Sequence, residues 1–208
     1  MTNERRTITE GFEVRKAEDG SRVAAGYAAV FESTTRISSF TEEVGRSAFD
    51  KTLQEADVLG LYNHEMDLLL GRSSSGTLRL SVDEHGLAYE IDLPDTNLGR
   101  DLGVLMERGD VNGSSFGFRV IKDDWQGTHR TLTEVALRDV GPVTQPAYPD
   151  ASVALRSLAD DYEIDLGELV AADAAGELSE RLCSDADDTD TAAEDSSALT
   201  VIRHRFIA

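Results

Sequence analysis

The chain has 208 residues, 40 of them acidic and 20 basic, for a formal charge of -20 at neutral pH. That length suits one domain of ordinary size with an appendage, or two very small domains. The charge excludes the basic footprint of non-specific nucleic-acid binding. No apolar run approaches the roughly 18–20 residues of a membrane helix, and the lone Cys183 excludes an internal disulfide framework or a cysteine-rich zinc site.

The opening residues, MTNERRTITE, are polar, so no secretory signal is expected. From about residue 10 to 157 short alternating runs are broken by Gly, Asp and Asn, the texture of a β-rich domain. Strands are expected at Gly11–Val14 and Val23–Phe31. Ser47 is a good N-cap for a helix over Ala48–Ala56. Further strands follow at Val58–Leu61, Gly76–Leu80 and Leu87–Leu93. Asp83–Gly86 reads as the turn of a hairpin between Leu78–Val82 and Leu87–Asp92, with Gly86 supplying positive φ. A second helix runs from Asn97 to Gly109. Its Leu98, Leu102, Leu105 and Met106 fall on one face, and Gly109 suits the position just past its end. Strands at Ser114–Val120 and Leu132–Asp139 complete the domain.

Beyond Arg156 the pattern changes. Residues 160–195 hold 14 acids and one base, Arg181. Residues 161–182 suit an acidic amphipathic helix with Ile164, Leu166, Leu169 and Val170 as its apolar stripe. Residues 183–197 are low-complexity and acidic, and are expected to be disordered. The division is therefore a domain over residues 1–157 and an acidic tail over 158–208.

A nucleophilic hydrolase needs a nucleophile, a base to take its proton and usually a group to orient the base. Negative surroundings disfavour a thiolate at Cys183, which leaves Ser or Thr with a histidine. His85 sits in a turn, His129 in a polar loop and His204 in the tail. His64 follows an apolar strand and is the best-placed base, although a packed or capping loop histidine is the commoner case. Ser114 and Ser115 lie in DVNGSSFGFRV. Phe116, Phe118 and Val120 share one face of that strand, leaving Ser115 and Gly117 on the other, where the glycine makes room for a substrate backbone. No GxSxG elbow is present. Trp125 and Tyr89 read as packing residues, and Pro142, Pro146 and Pro149 as stiffening the chain after the last strand. Asp67, Asp83, Glu84 and Asp92 form no recognisable metal loop. No metal or cofactor is expected.

Six segments, in order, carry a resemblance: GYAAVFES, EEVGRSAF, LYNHEMDLLLGR, SGTLRLSVDEHGLAYEIDLPDT, RGDVNGSSFGF and LRDVGPVTQPAYPDASVALRS. Over roughly residues 10–157 the chain resembles the prohead (procapsid) maturation proteases of tailed bacteriophages. That family is similar in fold to assemblin, the herpesvirus capsid maturation protease. The resemblance implies a mainly β fold, a closed or nearly closed β-barrel with peripheral α-helices. It implies His64, from the N-H-acid segment, as general base and Ser115, the serine directly before F-G-F, as nucleophile. The third member falls where the family usually reads Glu-Val-Ser; here Asp139-Val140-Gly141 stands, a departure that puts the role on a side chain one methylene shorter. Glu134 is the rival. In a regular strand Glu134 and Asp139 face opposite sides, and Asp139 shares the apolar side of Val135 and Leu137 unless a bulge changes the count.

The function implied is a serine endopeptidase that cleaves the major capsid protein and scaffold segments, and itself somewhere after Arg156. It would act in the bacterial host cytoplasm, inside the assembling prohead. Self-association as a homodimer or higher oligomer is expected by analogy with assemblin; nucleic acid and membrane are not expected partners. The acidic tail also suits a different class, a non-catalytic capsid-assembly or scaffolding module.

Overall fold

The computed structural model describes residues 4–8, 12–16, 20–144, 155–156, 158–159 and 162–182. Cys183, Pro146, Pro149, His204 and the acidic run at 183–197 lie outside the described residues. So do Gly11, the first residue of the first expected strand, and residue 161, the first of the last expected helix.

Among the described residues, eleven strands occupy Glu4–Ile8 (β1), Glu13–Lys16 (β2), Arg22–Val30 (β3), Thr35–Ile37 (β4), Phe40–Val44 (β5), Leu59–Leu61 (β6), Leu69–Arg72 (β7), Leu78–Val82 (β8), Gly86–Asp92 (β9), Gly113–Gln126 (β10) and His129–Val143 (β11). Helices span Thr52–Glu55 (α1), Asn97–Arg108 (α2) and Leu166–Ala175 (α3). One sheet runs β1-β10-β11-β5-β4, with β6 also on β11 and β7 on β6; the other runs β2-β3-β9-β8.

β11 organises the first sheet. Its first residues, His129–Leu132, pair in parallel with Thr41–Val44. Its later ones, Asp139 and Val140, pair in parallel with Leu59 and Gly60. Between these partners the chain around α1 supplies acceptors: the Val135 N–H donates to the Ala48 carbonyl (3.0 Å) and the Leu137 N–H to Thr52 Oγ1 (3.0 Å). Backbone groups buried between two partner strands are thereby satisfied.

Among the described residues the sheets do not close into the expected barrel. Closure requires a hydrogen-bond ladder that runs continuously around the sheet, and no ladder joins either edge of β2-β3-β9-β8 to the larger sheet. The two sheets meet instead through side chains. Leu87, Tyr89 and Ile91 of β9 enter one apolar cluster with Phe116, Phe118, Leu132, Val135, Leu137 and Val140 of β10 and β11. Tyr89, expected to be a packing residue, packs in the core.

Local signals fared unevenly. α2 begins and ends as the sequence suggests: Thr96 Oγ1 accepts the Gly99 N–H (3.2 Å), and Gly109 closes the helix at φ 82°. The first helix is shorter than expected, four residues from Thr52. Residues 45–50 form turns through the Ala48 N–H to Gly45 carbonyl bond (3.0 Å) and the Asp50 N–H to Ser47 carbonyl bond (3.1 Å), so Ser47 caps nothing. Gly86 does not take positive φ. Its smallness matters because a Cβ there would lie 2.0 Å from the Ala29 carbonyl oxygen on β3.

The segment after Arg156 is not one helix. α3 stops at Gly176, in the left-handed region at φ 74°, and residues 178–182 are helical again. Leu155, Leu158, Ile164, Leu169, Leu178 and Leu182 form a second buried cluster with Ile37 and Phe40. Val170, assigned to the apolar stripe, is instead 48% exposed. Asp173 anchors the segment by accepting from Ser38 Oγ (2.5 Å) and the Ser39 N–H (3.2 Å). Trp125 packs on Phe40 with ring centroids 5.2 Å apart. No helix among the described residues is long and apolar enough to cross a membrane.

Beneath this segment lies a buried charge cluster. Arg6 Nε donates to Glu42 Oε1 (2.7 Å), and Arg6 also bonds Glu4. Arg130 reaches Asp123 (2.6 Å), Glu42 (3.0 Å) and Glu4 (3.3 Å). Tyr162 donates its hydroxyl to Asp123 (2.8 Å). Glu4 and Arg130 have no exposed surface.

Candidate active site

β6 ends at Leu61, and the chain then turns through residues 62–68, closed by the Tyr62 N–H to Leu68 carbonyl bond (3.1 Å) and the Leu68 N–H to Glu65 carbonyl bond (2.9 Å). Asn63 and His64 both take left-handed backbone conformations, at φ 55° and 60°. That turn aims the imidazole over β10 and β11. Ser115 lies on β10 between Thr7 of β1 and Gly141 of β11. Neighbouring Ser114 points the opposite way, where its hydroxyl meets Tyr89 Oη in the core (2.8 Å).

Asp139 reaches this face because β11 is irregular. Gly117 pairs with Asp139 but Phe118 pairs with Leu137, so Arg138 is an extra residue in the ladder. The bulge reverses the alternation, and Asp139 leaves the side of buried Val135 and Leu137. The strand-alternation expectation, which put Asp139 on the apolar side, is corrected by this one residue.

The three side chains form a continuous chain. His64 Nδ1 lies 2.5 Å from Asp139 Oδ1, and His64 Nε2 lies 2.6 Å from Ser115 Oγ. The His64 and Asp139 side chains are only 8% and 13% exposed. A carboxylate accepts only, so it holds the imidazole proton on Nδ1 and leaves the Nε2 lone pair facing the serine hydroxyl. Glu134 is elsewhere: its carboxylate meets Lys51 (3.3 Å) and Lys122 (3.3 Å). Hydrogen bonds from Lys122 and then Lys51 hold that carboxyl below its ordinary range.

β1 contributes contacts that the sequence did not suggest. Ser115 Oγ donates to the Arg6 carbonyl (2.8 Å), and Thr7 Oγ1 donates to Ser115 Oγ (3.2 Å). The hydroxyl has one proton and two acceptors, His64 Nε2 and the Arg6 carbonyl. With these neighbours around it, Ser115 has no exposed surface. The alternating pattern that betrays a strand is spoiled in β1 by buried Glu4 and Arg6.

Gly117 also has a different place from the one expected. A Cβ at this position would lie 2.4 Å from Asp139 Oδ2, so the missing side chain makes room for the carboxylate rather than for a substrate. Gly117→Ala is expected to displace that carboxylate and break its 2.5 Å contact with His64. A crystal structure of the variant checks this; the contact kept at hydrogen-bond distance would contradict it.

His85 and His129 have ordinary surroundings. His85 packs edge-on against Tyr27, 4.5 Å between centroids, and His129 Nδ1 lies 2.9 Å from Thr41 Oγ1. Among the described residues no cluster of three or more His, Cys, Asp or Glu side chains could hold a metal ion.

Comparison with known proteins matches this architecture to phage head proteases. Residues 10–163 match the family described as caudovirus prohead serine protease. Over 159 residues the chain is 33% identical to the prohead protease of Enterobacteria phage HK97, across 73% of this chain and 68% of that protein. Its fold is similar to that of the bacteriophage T4 capsid assembly protease, with a TM-score of 0.51 at 12% identity over 68% of this chain and 97% of that one. The chain belongs to the caudovirus prohead serine protease family.

Proposed function

We propose that this protein is a serine endopeptidase of prohead maturation, with Ser115 as nucleophile, His64 as general base and Asp139 as the orienting carboxylate. The observation that carries the reading is the unbroken hydrogen-bonded run from Asp139 through His64 to Ser115, at 2.5 and 2.6 Å. His64 Nε2 takes the Ser115 proton as Oγ attacks the scissile carbonyl. The imidazolium, stabilised by Asp139, then gives that proton to the leaving amine. A water deprotonated by the same nitrogen hydrolyses the acyl-enzyme, returning Ser115 to its hydroxyl. Substrates are the major capsid protein and scaffold segments, cut inside the assembling prohead, with self-cleavage after Arg156 as a further expected event. Such a hydrogen-bonded set argues against a purely non-catalytic scaffolding module.

The test is co-expression with the major capsid protein of the same genome. Wild type is expected to shorten the capsid protein, read by intact mass, and Ser115→Ala to leave it full length. Identical products from the two would sink the reading. Masses of the two enzymes, compared in the same samples, test self-cleavage.

A further inference from the structure

We infer that Asn63 is a positioning residue for His64, fastening the loop that carries the base to the strand that carries the orienting carboxylate. This rests on the catalytic reading proposed above.

The imidazole must satisfy two partners at once, Asp139 on β11 and Ser115 on β10, at 2.5 and 2.6 Å. A shift of roughly an ångström in the loop breaks one of these contacts. The parallel ladder between β6 and β11 pairs Asp139 with Leu59 and Val140 with Gly60. Beyond it, Asn63 takes over. Its backbone N–H donates to the Pro142 carbonyl (3.0 Å). Its side-chain Oδ1 accepts the Thr144 N–H (2.9 Å), and its Nδ2 donates to Thr144 Oγ1 (3.3 Å). Tyr62 Oη, one residue earlier, closes on the same Thr144 hydroxyl (2.5 Å). The loop is thus fastened three and five residues past Asp139.

Conformation points the same way. Residues 63 and 64 stand consecutively in the left-handed region, which is costly for most side chains and least so, after glycine, for Asn and Asp. Asparagine both tolerates that backbone and supplies the acceptor and donor that Thr144 meets. Gly141 lets β11 come this close, because a Cβ there would lie 2.0 Å from the Leu61 carbonyl oxygen.

The experiment uses the full-length chain and its Asn63→Ala, Asn63→Gly and Asn63→Asp variants. It reads the rate at which a fluorophosphonate labels Ser115, kcat and KM for capsid-protein cleavage, and the thermal midpoint. Asn63→Ala is expected to slow labelling and lower kcat together by about 10²-fold, with KM within about two-fold. Asn63→Asp keeps an acceptor for the Thr144 N–H and is expected to recover most of the rate. Asn63→Gly keeps the backbone without the side-chain bonds and is expected to fall between them. A loop anchor with no bearing on His64 would lower the midpoint and leave labelling of the folded protein unchanged. Labelling at the wild-type rate in Asn63→Ala, or equal losses in Ala and Asp, would overturn the inference. If Asn63→Ala does not fold, Asn63→Gly and Asn63→Asp carry the test; slower labelling in Gly than in Asp supports the inference and equal rates overturn it. Failure of the underlying reading shows separately, as cleavage that survives Ser115→Ala.

Discussion

Asp139→Asn is expected to lower kcat/KM for capsid-protein cleavage by about 10⁴-fold while leaving the fold intact. The amide is the same size as the carboxylate and fits beside Gly117. Its chemistry differs, because its NH₂ can donate to His64 Nδ1 where the carboxylate can only accept. That bond drives the imidazole proton to Nε2, which then faces Ser115 Oγ as a donor and no longer as a base. The serine hydroxyl has a ready alternative in the Arg6 carbonyl at 2.8 Å, so the unreactive arrangement is fully hydrogen-bonded. Glu134→Gln is the control. Glu134 pairs with Lys51 and Lys122, and its loss is expected to change kcat/KM by less than about two-fold. Kinetics on both variants, with thermal midpoints to verify folding, make the comparison. Activity that survives Asp139→Asn and disappears in Glu134→Gln would reverse the assignment of the orienting acid.

The choice between these two acids also shows where the sequence was legible. His64 and Ser115 could be named because each sits in a short motif whose order along the chain is family-specific. The side of the strand on which Asp139 sits could not be read. Alternation counts residues, and the extra residue at Arg138 is fixed by pairing with β10, a contact made only in the fold. β1 was missed for a related reason. Its buried positions are Glu4 and Arg6, which read as surface until Glu42 and Arg130 are brought to them from distant strands. α2 was legible because Thr96, its apolar face and Gly109 are all local signals. The Ser47 cap failed because the following residues serve as acceptors for β11 rather than continuing a helix. Barrel closure came from the resemblance alone, and edge-to-edge pairing between distant strands leaves no mark on local periodicity.

Arg130→Met is expected to destabilise the protein by about 3–5 kcal/mol, the usual cost of removing one partner from a buried ionic set. Arg130 is fully buried among Glu4, Glu42 and Asp123. Methionine fills similar apolar space but leaves three carboxylates with Arg6 as the remaining guanidinium in the cluster. In the wild type, burial pushes the Glu4 carboxyl up, but the charges of Arg6 and Arg130 outweigh it and hold the group below its ordinary range. Such a carboxylate contributes stability above its unfolded pKa, about 4.3, and loses it as pH falls through the lower folded value. Without Arg130 burial is expected to prevail and to raise the carboxyl above the unfolded value. The group then costs stability at neutral pH, and the cost fades as pH falls towards about 4. Urea midpoints should therefore show a gap between wild type and variant that narrows from about pH 7 to about pH 4.5. Adding Glu42→Leu removes one of the stranded carboxylates and leaves Arg6 with Glu4, while Asp123 keeps the Tyr162 hydroxyl. The double variant is expected to be more stable than the sum of the single effects by about 1–2 kcal/mol. Strict additivity, together with a gap that does not change with pH, would mean that Arg130 contributes packing alone. β1 would then be held against β10 by its ladder and not by the charges beneath it.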